Sequence, residues 1–454
     1  MFTLPHHLRA VIDALRLSDP PRNSLRSLTD SEWASVLSHW GWVRLTLPLR
    51  QVRGNDLPEW VRAQIDENVA DNMQRLECIK TLYVELAHAL GNAGVDHLVL
   101  KGFAQWPAYM QGPQVRTQSD IDVFCPAESA FRGRDALCAL GYRWRQDLRP
   151  RFSDHLPALE KSSQWRWRGR YFDPAMPVTV EVHFQFWDEI GTRLRPIGLQ
   201  QLWLRRAERP LDGFTCPALD EVDSLAYAAL HVIRSLFCGD LQPYNIYEIA
   251  WFLHTNADNK AFWGRWRQLH HESLRRLEAV CFTLAKQWFA CRLAEELEED
   301  IESLPGGAQR WFYKYSDSPL IALVRPNKDA LWLHLSLLDS SSDKRSIFRN
   351  RVFPAPNRPS EPVKRWTLAT FSQYVIHAIC RGLPLHLSLL PRTLLQGIGW
   401  WWDNRSARGL RGARIAARVG NDRSERSRAS LAPSDQAGAL GPLALTSIRP
   451  GVRN

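Results

Sequence analysis

Two aspartates separated by one residue, Asp120 and Asp122 in the segment Ser119–Phe124, are the residues of this chain best suited to chemistry. Side chains alternate along a strand, so both carboxylates share one face while Ile121 and Val123 point into the core. Two carboxylates held this close repel each other unless a cation lies between them, and their hard oxygen atoms suit Mg²⁺. The motif is short and common, and an exposed acidic pair on an edge strand is its alternative interpretation.

The turn upstream of the aspartates has the composition of a phosphate-binding turn. A buried strand is predicted over 95–100, Lys101 and Gly102 follow it, and a helix is expected over 102–110. A glycine at a strand-to-helix turn lets backbone N–H groups approach a phosphate, and a helix N-terminus favours an anion. The Lys101 ammonium adds a positive charge. The turn is therefore predicted to hold a phosphate group.

A third carboxylate follows on a later strand, predicted over 178–185, where Glu181 and His183 share one face. A two-metal phosphoryl or nucleotidyl transfer site requires a phosphate-binding turn, a carboxylate pair and a further carboxylate. That interpretation requires Glu181 to lie close to the aspartates. His183 would orient a carboxylate or contact substrate, and a histidine satisfied within the sheet is the equal alternative.

Several motifs together resemble the uncharacterised nucleotidyltransferase family, which belongs to the polymerase-beta-like nucleotidyltransferase superfamily. The resemblance covers roughly residues 65–260, and it is carried by Leu100-Lys101-Gly102, Arg116, Asp120-Ile-Asp122 and Glu181-Val-His183. It implies a small mixed sheet flanked by helices and metal-dependent transfer of a nucleotide from an NTP such as ATP. By position, the catalytic and metal-binding residues would be Asp120, Asp122 and Glu181, holding two Mg²⁺ ions.

The same resemblance implies that the NTP is bound by Lys101, Gly102, Arg116 and His183. Arg116 has a second interpretation as an ion-pair partner of the aspartates. The acceptor would be a hydroxyl of a small molecule, a saccharide or a protein. Two other functions stay open: a non-catalytic NTP-binding or scaffold protein, and a glycosyltransferase that uses Asp-x-Asp to hold a nucleotide-sugar through a metal.

The elements that must position these residues follow from periodicity. Apolar residues at spacings of three and four predict a long helix over 58–93, leading directly into the first strand. Strands and helices then alternate, which predicts an α+β fold with a small mixed sheet. The predicted strands are 95–100, 120–125 and 141–146, a helix lies at 128–140, and a hairpin has arms at 164–172 and 178–186.

The first hairpin arm alternates tryptophan and arginine, with Trp165 and Trp167 on one face and arginines on the other. A half-buried strand with its tryptophans inward is the favoured interpretation. Aromatic rings interleaved with arginines also bind single-stranded nucleic acid. Beyond residue 200 the pattern becomes helical. The family resemblance implies that the helix containing His231 lies over the site, and a core or capping histidine is the favoured interpretation of His231.

Composition shifts predict four regions: an N-terminal helical region (1–90), the nucleotidyltransferase-like core (91–200), a helical C-terminal region (201–400) and a basic tail (401–454). Of the formal charge of +10, the segment 404–454 contributes ten arginines against three acidic residues, so the remainder is nearly balanced. The tail is poor in bulky apolar residues, which predicts disorder. Weak contact of this tail with an anionic membrane or with nucleic acid is a further expectation.

Several other classes of protein are excluded by missing motifs. The chain has no Walker phosphate loop, no Gly-x-Ser-x-Gly and no His-Glu-x-x-His. Its eight cysteines are scattered without Cys-x-x-Cys spacing, which favours reduced thiols and a cytoplasmic location, with peripheral membrane contact as a second expectation. No secretory signal or apolar transmembrane span is predicted.

Overall fold

The computed structural model describes residues 3–352, except 22, 111, 145–152 and 212, together with 388–400 and 402. The described residues up to Ile398 belong to one compact unit. Apart from Trp402, the predicted basic tail lies outside the described residues. The Ser, Pro and Arg content of 340–365 predicts a linker or long loop, and residues 353–365 of it also lie outside the described residues. The first part of that linker is instead helical, up to Val352.

Helices make up most of the described chain. They are α1 (His6–Ala14), α2 (Asp30–Val43), α3 (Thr46–Arg53), α4 (Glu59–Asn92), α5 (Ala127–Ala139), α6 (Glu189–Thr192), α7 (Gln200–Leu204), α8 (Glu221–Cys238), α9 (Pro243–Thr255), α10 (Lys260–Leu269), α11 (Glu272–Phe289), α12 (Glu298–Glu302), α13 (Gly306–Tyr315), α14 (Ser318–Ala322), α15 (Ala330–Leu337) and α16 (Ser341–Val352). Residues 388–400 are also helical.

A seven-stranded mixed sheet forms the centre of the fold within the described residues. Its strands are β1 (Leu98–Val99), β2 (Asp120–Phe124), β3 (Tyr142–Trp144), β4 (Leu159–Lys161), β5 (Thr179–His183), β6 (Ala207–Leu211) and β7 (Phe214–Ala218). The order across the sheet is β3-β4-β5-β2-β1-β7-β6. The pairs β2–β5 and β1–β7 are parallel and the others antiparallel. The predicted α+β class with a small mixed sheet is confirmed.

The long helix α4 lies along this sheet and begins and ends within one residue of its predicted bounds. Ile65, Ile79 and Leu86 on its apolar face are fully buried. The C-terminal half of that face packs with inward side chains of β2 and β5, such as Ile121 and Val180. The spacing of three and four therefore predicted both the helix and the face that it buries.

The predicted hairpin arm at 164–172 is wrong. The antiparallel neighbour of β5 is β4, and residues 162–168 have no regular secondary structure. Trp165 bonds instead to the turn that follows, its indole N–H donating to Asp173 Oδ2 at 2.8 Å, while Trp167 is 54% exposed. Alternation shows that a segment suits a strand but does not provide a partner, and here β4 occupies the edge of β5.

The helical region beyond residue 200 is confirmed from α8 onward. Asp220 caps α8, its side chain accepting from the Val222 N–H. Within the described residues no helix combines the length and apolarity needed to cross a bilayer. The seven cysteines in this part of the chain are free thiols.

Candidate active site

The parallel pairing of β2 and β5 brings the predicted carboxylates together. Asp122 and Glu181 are register partners across the two strands, two residues beyond the Asp120–Thr179 pair. Asp122, Glu181 and His183 each present one potential ligand atom, and these three atoms all lie within 4.8 Å of one another. Glu181 therefore lies close to Asp122, as the sequence interpretation requires of the aspartates.

Lys101 lies between the two aspartates. Its Nζ is 3.2 Å from Asp122 Oδ2 and 3.8 Å from Asp120 Oδ2. Asp122 is buried, whereas the side chain of Asp120 is about a quarter exposed. Burial lowers the pKa of Lys101, but the surrounding carboxylates of Asp120, Asp122 and Glu181 raise it further, so the ammonium keeps its proton. Asp120 therefore lies at the mouth of the cluster and Asp122 at its floor.

His183 lies at the centre of the acidic cluster and is fully buried. Its Nε2 is 3.3 Å from Asp122 Oδ1 and 3.6 Å from Glu181 Oε2, and its Nδ1 is 3.7 Å from Asp154 Oδ2. Burial alone would lower the pKa of this imidazole, but hydrogen bonds to the three carboxylates raise it to about 10. The imidazolium in turn lowers the pKa of Glu181 to about 2, against the effect of burial.

The Lys101–Gly102 turn is fixed by one side chain, Gln118. Its Oε1 accepts from the Phe103 N–H at 2.9 Å, and its Nε2 donates to the Asp120 carbonyl at 2.7 Å. Gly102 has φ +77°, and a Cβ there would lie 2.3 Å from Gln118 Nε2. Glycine is thus required both for the left-handed conformation and for the close approach of Gln118.

The helix predicted over 102–110 is wrong. Only a 3₁₀ turn forms, Gly102–Gln105, and irregular turns follow up to 110. Pro107 explains the early end, since a proline disfavours helical backbone in the residue before it and Trp106 is extended. Phe103 is buried and packs against Tyr83 and Phe214. A long helix N-terminus is therefore missing at this turn, leaving Lys101 and the local backbone as the groups that face a phosphate.

Arg116 is buried beneath the turn. It forms an ion pair with Glu248 of α9 rather than with the aspartates. Its Nε donates to the Gly102 carbonyl at 3.2 Å and its Nη2 to Gln105 Oε1 at 3.0 Å. Most of its donor groups thus contact protein atoms. The nearby Tyr244 hydroxyl accepts from the Thr117 N–H and donates to the Val115 carbonyl, so α9 is held against the segment that enters β2.

A cavity of about 260 Å³ lies between the turn and helices α8 and α9. Lys101, Gly102, Arg116 and Asp120 line one side of it. His231 of α8 also lines the cavity. Burial lowers the pKa of His231 well below its ordinary value, so this ring is neutral.

A comparison with protein families is decisive for the assignment. The model of the uncharacterised nucleotidyltransferases matches residues 45–290, more than half of the chain. The chain belongs to this family. No curated protein and no solved structure matches it significantly. Membership supports nucleotidyl transfer in general, and the four motifs that suggested the family all fall inside the matched range.

The side chains of the cluster fit a divalent cation. Asp122 and Glu181 supply converging carboxylate oxygens, and Asp120 adds a third carboxylate at the rim. Asp122 Oδ2 is buried and pairs with the Lys101 ammonium at 3.2 Å without a well-aligned hydrogen bond. Oxygen donors of this kind suit Mg²⁺. His183 could bind a metal through Nε2 only after losing the proton that it shares with Asp122.

Two residues of the cluster were missed from the sequence, Asp154 and Arg234. Asp154 is buried beside His183, and the Arg234 guanidinium of α8 bonds to Asp154 Oδ2. Together the arginine and the histidine lower the pKa of Asp154, against the effect of burial. No local pattern marks either residue, because Asp154 lies outside any strand and Arg234 reads as an ordinary residue of an amphipathic helix.

Proposed function

We propose that this protein is a metal-dependent nucleotidyltransferase that transfers a nucleotide from an NTP to a hydroxyl acceptor. The observation that supports this most directly is the register of β2 and β5, which places Asp122 opposite Glu181. Membership of the nucleotidyltransferase family supports the reaction class. The acceptor oxygen would bond to the α-phosphorus as the bond to the β-phosphate oxygen breaks, releasing pyrophosphate and the hydroxyl proton.

In this proposal Asp120, Asp122 and Glu181 hold Mg²⁺. When bound, the metal would neutralise charge on the phosphoryl oxygens and make the acceptor hydroxyl more acidic. Lys101 would move from Asp122 to the triphosphate, which its flexible stem and retained charge permit. The Gly102 backbone, which lines the cavity, would also contact the triphosphate, whereas the Phe103 N–H already bonds to Gln118.

The remaining charged residues would position these groups. His183, fixed between Asp122, Asp154 and Glu181, would orient the carboxylates, since its buried ring does not reach the cavity lining. Arg116 would keep the turn and α9 together through Gly102 and Glu248. A direct nucleotide contact by Arg116 or His183 stays a prediction that substitution can test.

The test is pyrophosphate release from each labelled NTP in the presence of Mg²⁺. We expect release with at least one NTP, and its loss in Asp122→Asn and in Glu181→Gln. Glu128→Gln is the matched control, because Glu128 is an exposed carboxylate at the start of α5. Release that continues unchanged in Asp122→Asn would contradict the assignment of the active centre.

The same assay distinguishes the alternatives. Nucleotide binding without turnover in the wild type would favour a scaffold protein, an outcome consistent with the buried Phe103, which offers no hydroxyl at the turn. Hydrolysis of a UDP- or GDP-sugar would favour a glycosyltransferase. The acceptor can be sought by mass spectrometry of cell extract incubated with wild-type or Asp122→Asn protein, as products found only with the wild type.

A further inference from the structure

We infer that the cavity beside Lys101 binds the nucleoside half of the NTP, and that the amides of Gln242 and Asn245 select its base. The inference rests on the proposed function for the position of the triphosphate. Lys101, Gly102 and Asp120 line the cavity, whereas Asp122 and Glu181, the carboxylates deeper in the proposed metal site, do not. The cavity therefore continues from the triphosphate end of the site.

Charge is distributed unevenly along the cavity. At the turn, Lys101 is joined by Arg44, whose Nη2 donates to Ser119 Oγ at 3.2 Å. The wall where α8 leads into α9 presents the neutral amides of Gln242 and Asn245, and an Asp240 carboxylate that lies near the Arg351 guanidinium. A phosphate is favoured beside the two cations at the turn, and the amides offer neutral hydrogen-bonding groups. This polarity suits a molecule with one anionic and one neutral hydrogen-bonding end.

Polar atoms of the cavity wall lack protein partners within the described ranges. Thr117 is 1% exposed, and its Oγ1 has no hydrogen-bond partner there. Gln242 Oε1 is likewise buried and without a partner. Buried polar atoms are nearly always hydrogen-bonded, and those that are not call for a ligand or water. Both residues line the cavity, so a ligand bound there would satisfy them.

The start of α9 is rigidly placed. Gln242 is the N-cap residue of this helix, yet its side chain makes no capping bond. The helix is tied to the turn through the Glu248–Arg116 ion pair and the Tyr244 hydroxyl. The amides of Gln242 and Asn245 are consequently held at a fixed position relative to Gly102. An amide offers an acceptor and a donor side by side, which is the pattern on the edge of a nucleobase.

The experiment measures equilibrium binding of the four NTPs and of inorganic tripolyphosphate, with Mg²⁺, to the full chain. We expect the wild type to prefer one base. Gln242→Ala and Asn245→Ala should each weaken binding of the preferred NTP roughly tenfold, the scale of one lost amide–base contact. Tripolyphosphate binding should not change. Gln268→Ala, an exposed amide on α10, is the matched control, and circular dichroism checks the folding of each variant.

Three results would overturn the inference: unchanged NTP affinities in both variants, an equal loss for all NTPs and tripolyphosphate, or a wild type that does not discriminate between bases. The proposed function fails separately. A wild type that discriminates between bases through Gln242 but releases no pyrophosphate would retain this inference and lose the reaction. Release of pyrophosphate without base preference would retain the reaction and contradict this inference.

Discussion

Two buried histidines, each between carboxylates, occur in different parts of this molecule and differ in how completely their polar atoms are paired. His270, at the end of α10, lies 3.0 Å from Glu278 Oε2 and 3.3 Å from Asp223 Oδ1. Trp266 Nε1 donates to the other oxygen of Glu278, and Arg205 contacts both oxygens of Asp223. Each atom of this helical cluster has a protein partner, and its charges balance.

The cluster around His183 is less complete. Asp122 Oδ2, Asp154 Oδ1 and His183 Nδ1 are buried and make no well-aligned hydrogen bond among the residues described; their charged partners Lys101, His155 and Asp154 lie 3.2, 4.0 and 3.7 Å away. Its carboxylates face a cavity through Asp120 and Lys101, whereas the His270 cluster is enclosed by helices. The two clusters therefore differ in the role that their structure suits. A buried charge network in which every atom is hydrogen-bonded stabilises the fold, and one whose carboxylates are loosely paired beside a cavity is suited to a ligand.

The largest expected effect comes from making the same substitution in both clusters. Asp122→Asn should reduce pyrophosphate release roughly a thousandfold, because several kcal/mol of transition-state stabilisation depend on the metal ligands. Asp223→Asn should leave the rate per folded molecule unchanged. Initial rates, corrected for the folded fraction from circular dichroism, test both. Equal losses of rate would remove the distinction between the clusters.

The cluster around His270 should matter for stability rather than for activity. His270→Ala leaves the Glu278 and Asp223 carboxylates buried with less compensation, and we expect a loss of about 3–5 kcal/mol in the free energy of unfolding. Urea denaturation followed by tryptophan fluorescence measures this loss. Glu272→Ala, an exposed acid in the first turn of α11, is the control and should change the free energy little. A stable His270→Ala protein would show that the network is dispensable.

The helical cluster should also make stability depend on pH. Burial lowers the pKa of His270, but Glu278 and Asp223 raise it further, from an ordinary 6.5 to about 9. The native state therefore binds the proton more tightly than the unfolded state. This contribution is complete below pH 6.5 and is lost as the pH rises through 9, in total about 3 kcal/mol.

Urea titrations of wild type and His270→Gln between pH 6 and 9.5 isolate the contribution of His270 to the free energy of unfolding, since other groups titrate equally in both proteins. The difference in free energy of unfolding between the two should shrink as the pH rises. A difference that stays constant, or that grows with pH, would show that His270 is not protonated in the native state.

The smallest expected effect comes from two glycine substitutions, which distinguish backbone strain from a steric clash at the turn. Gly94 and Gly102 both have positive φ, +62° and +77°, but a Cβ at Gly94 meets no atom within 4 Å. Gly94→Ala should cost about 1 kcal/mol for the left-handed backbone alone. Gly102→Ala should cost 1–2 kcal/mol more, by order of magnitude, because it displaces Gln118. It should also lower nucleotide affinity, which Gly94→Ala should not. Denaturation and binding measurements on the two variants test this pair.

Local periodicity allowed part of this molecule to be predicted. The face of α4 that packs on the sheet followed from residue spacing, and the α+β class followed from the order of elements. Asp120, Asp122 and Glu181 were chosen for their residue type and their place on strands. Predictions failed where a local signal required a distant partner. The 164–172 arm alternates like a strand but pairs with none, and the helix expected after Gly102 ends near Pro107.

The sequence by itself determined which carboxylates could share a face, because alternation along a strand is a property of the backbone. Only the tertiary structure decided which strands are neighbours, and hence that Asp122 lies opposite Glu181. The tertiary structure alone brings Asp154 next to His183 and Arg234 next to Asp154, and it places Gln242 and Lys101 in the wall of one cavity. These residues are far apart along the chain, and their proximity arises from packing of the whole sheet and its helices, which no short segment encodes.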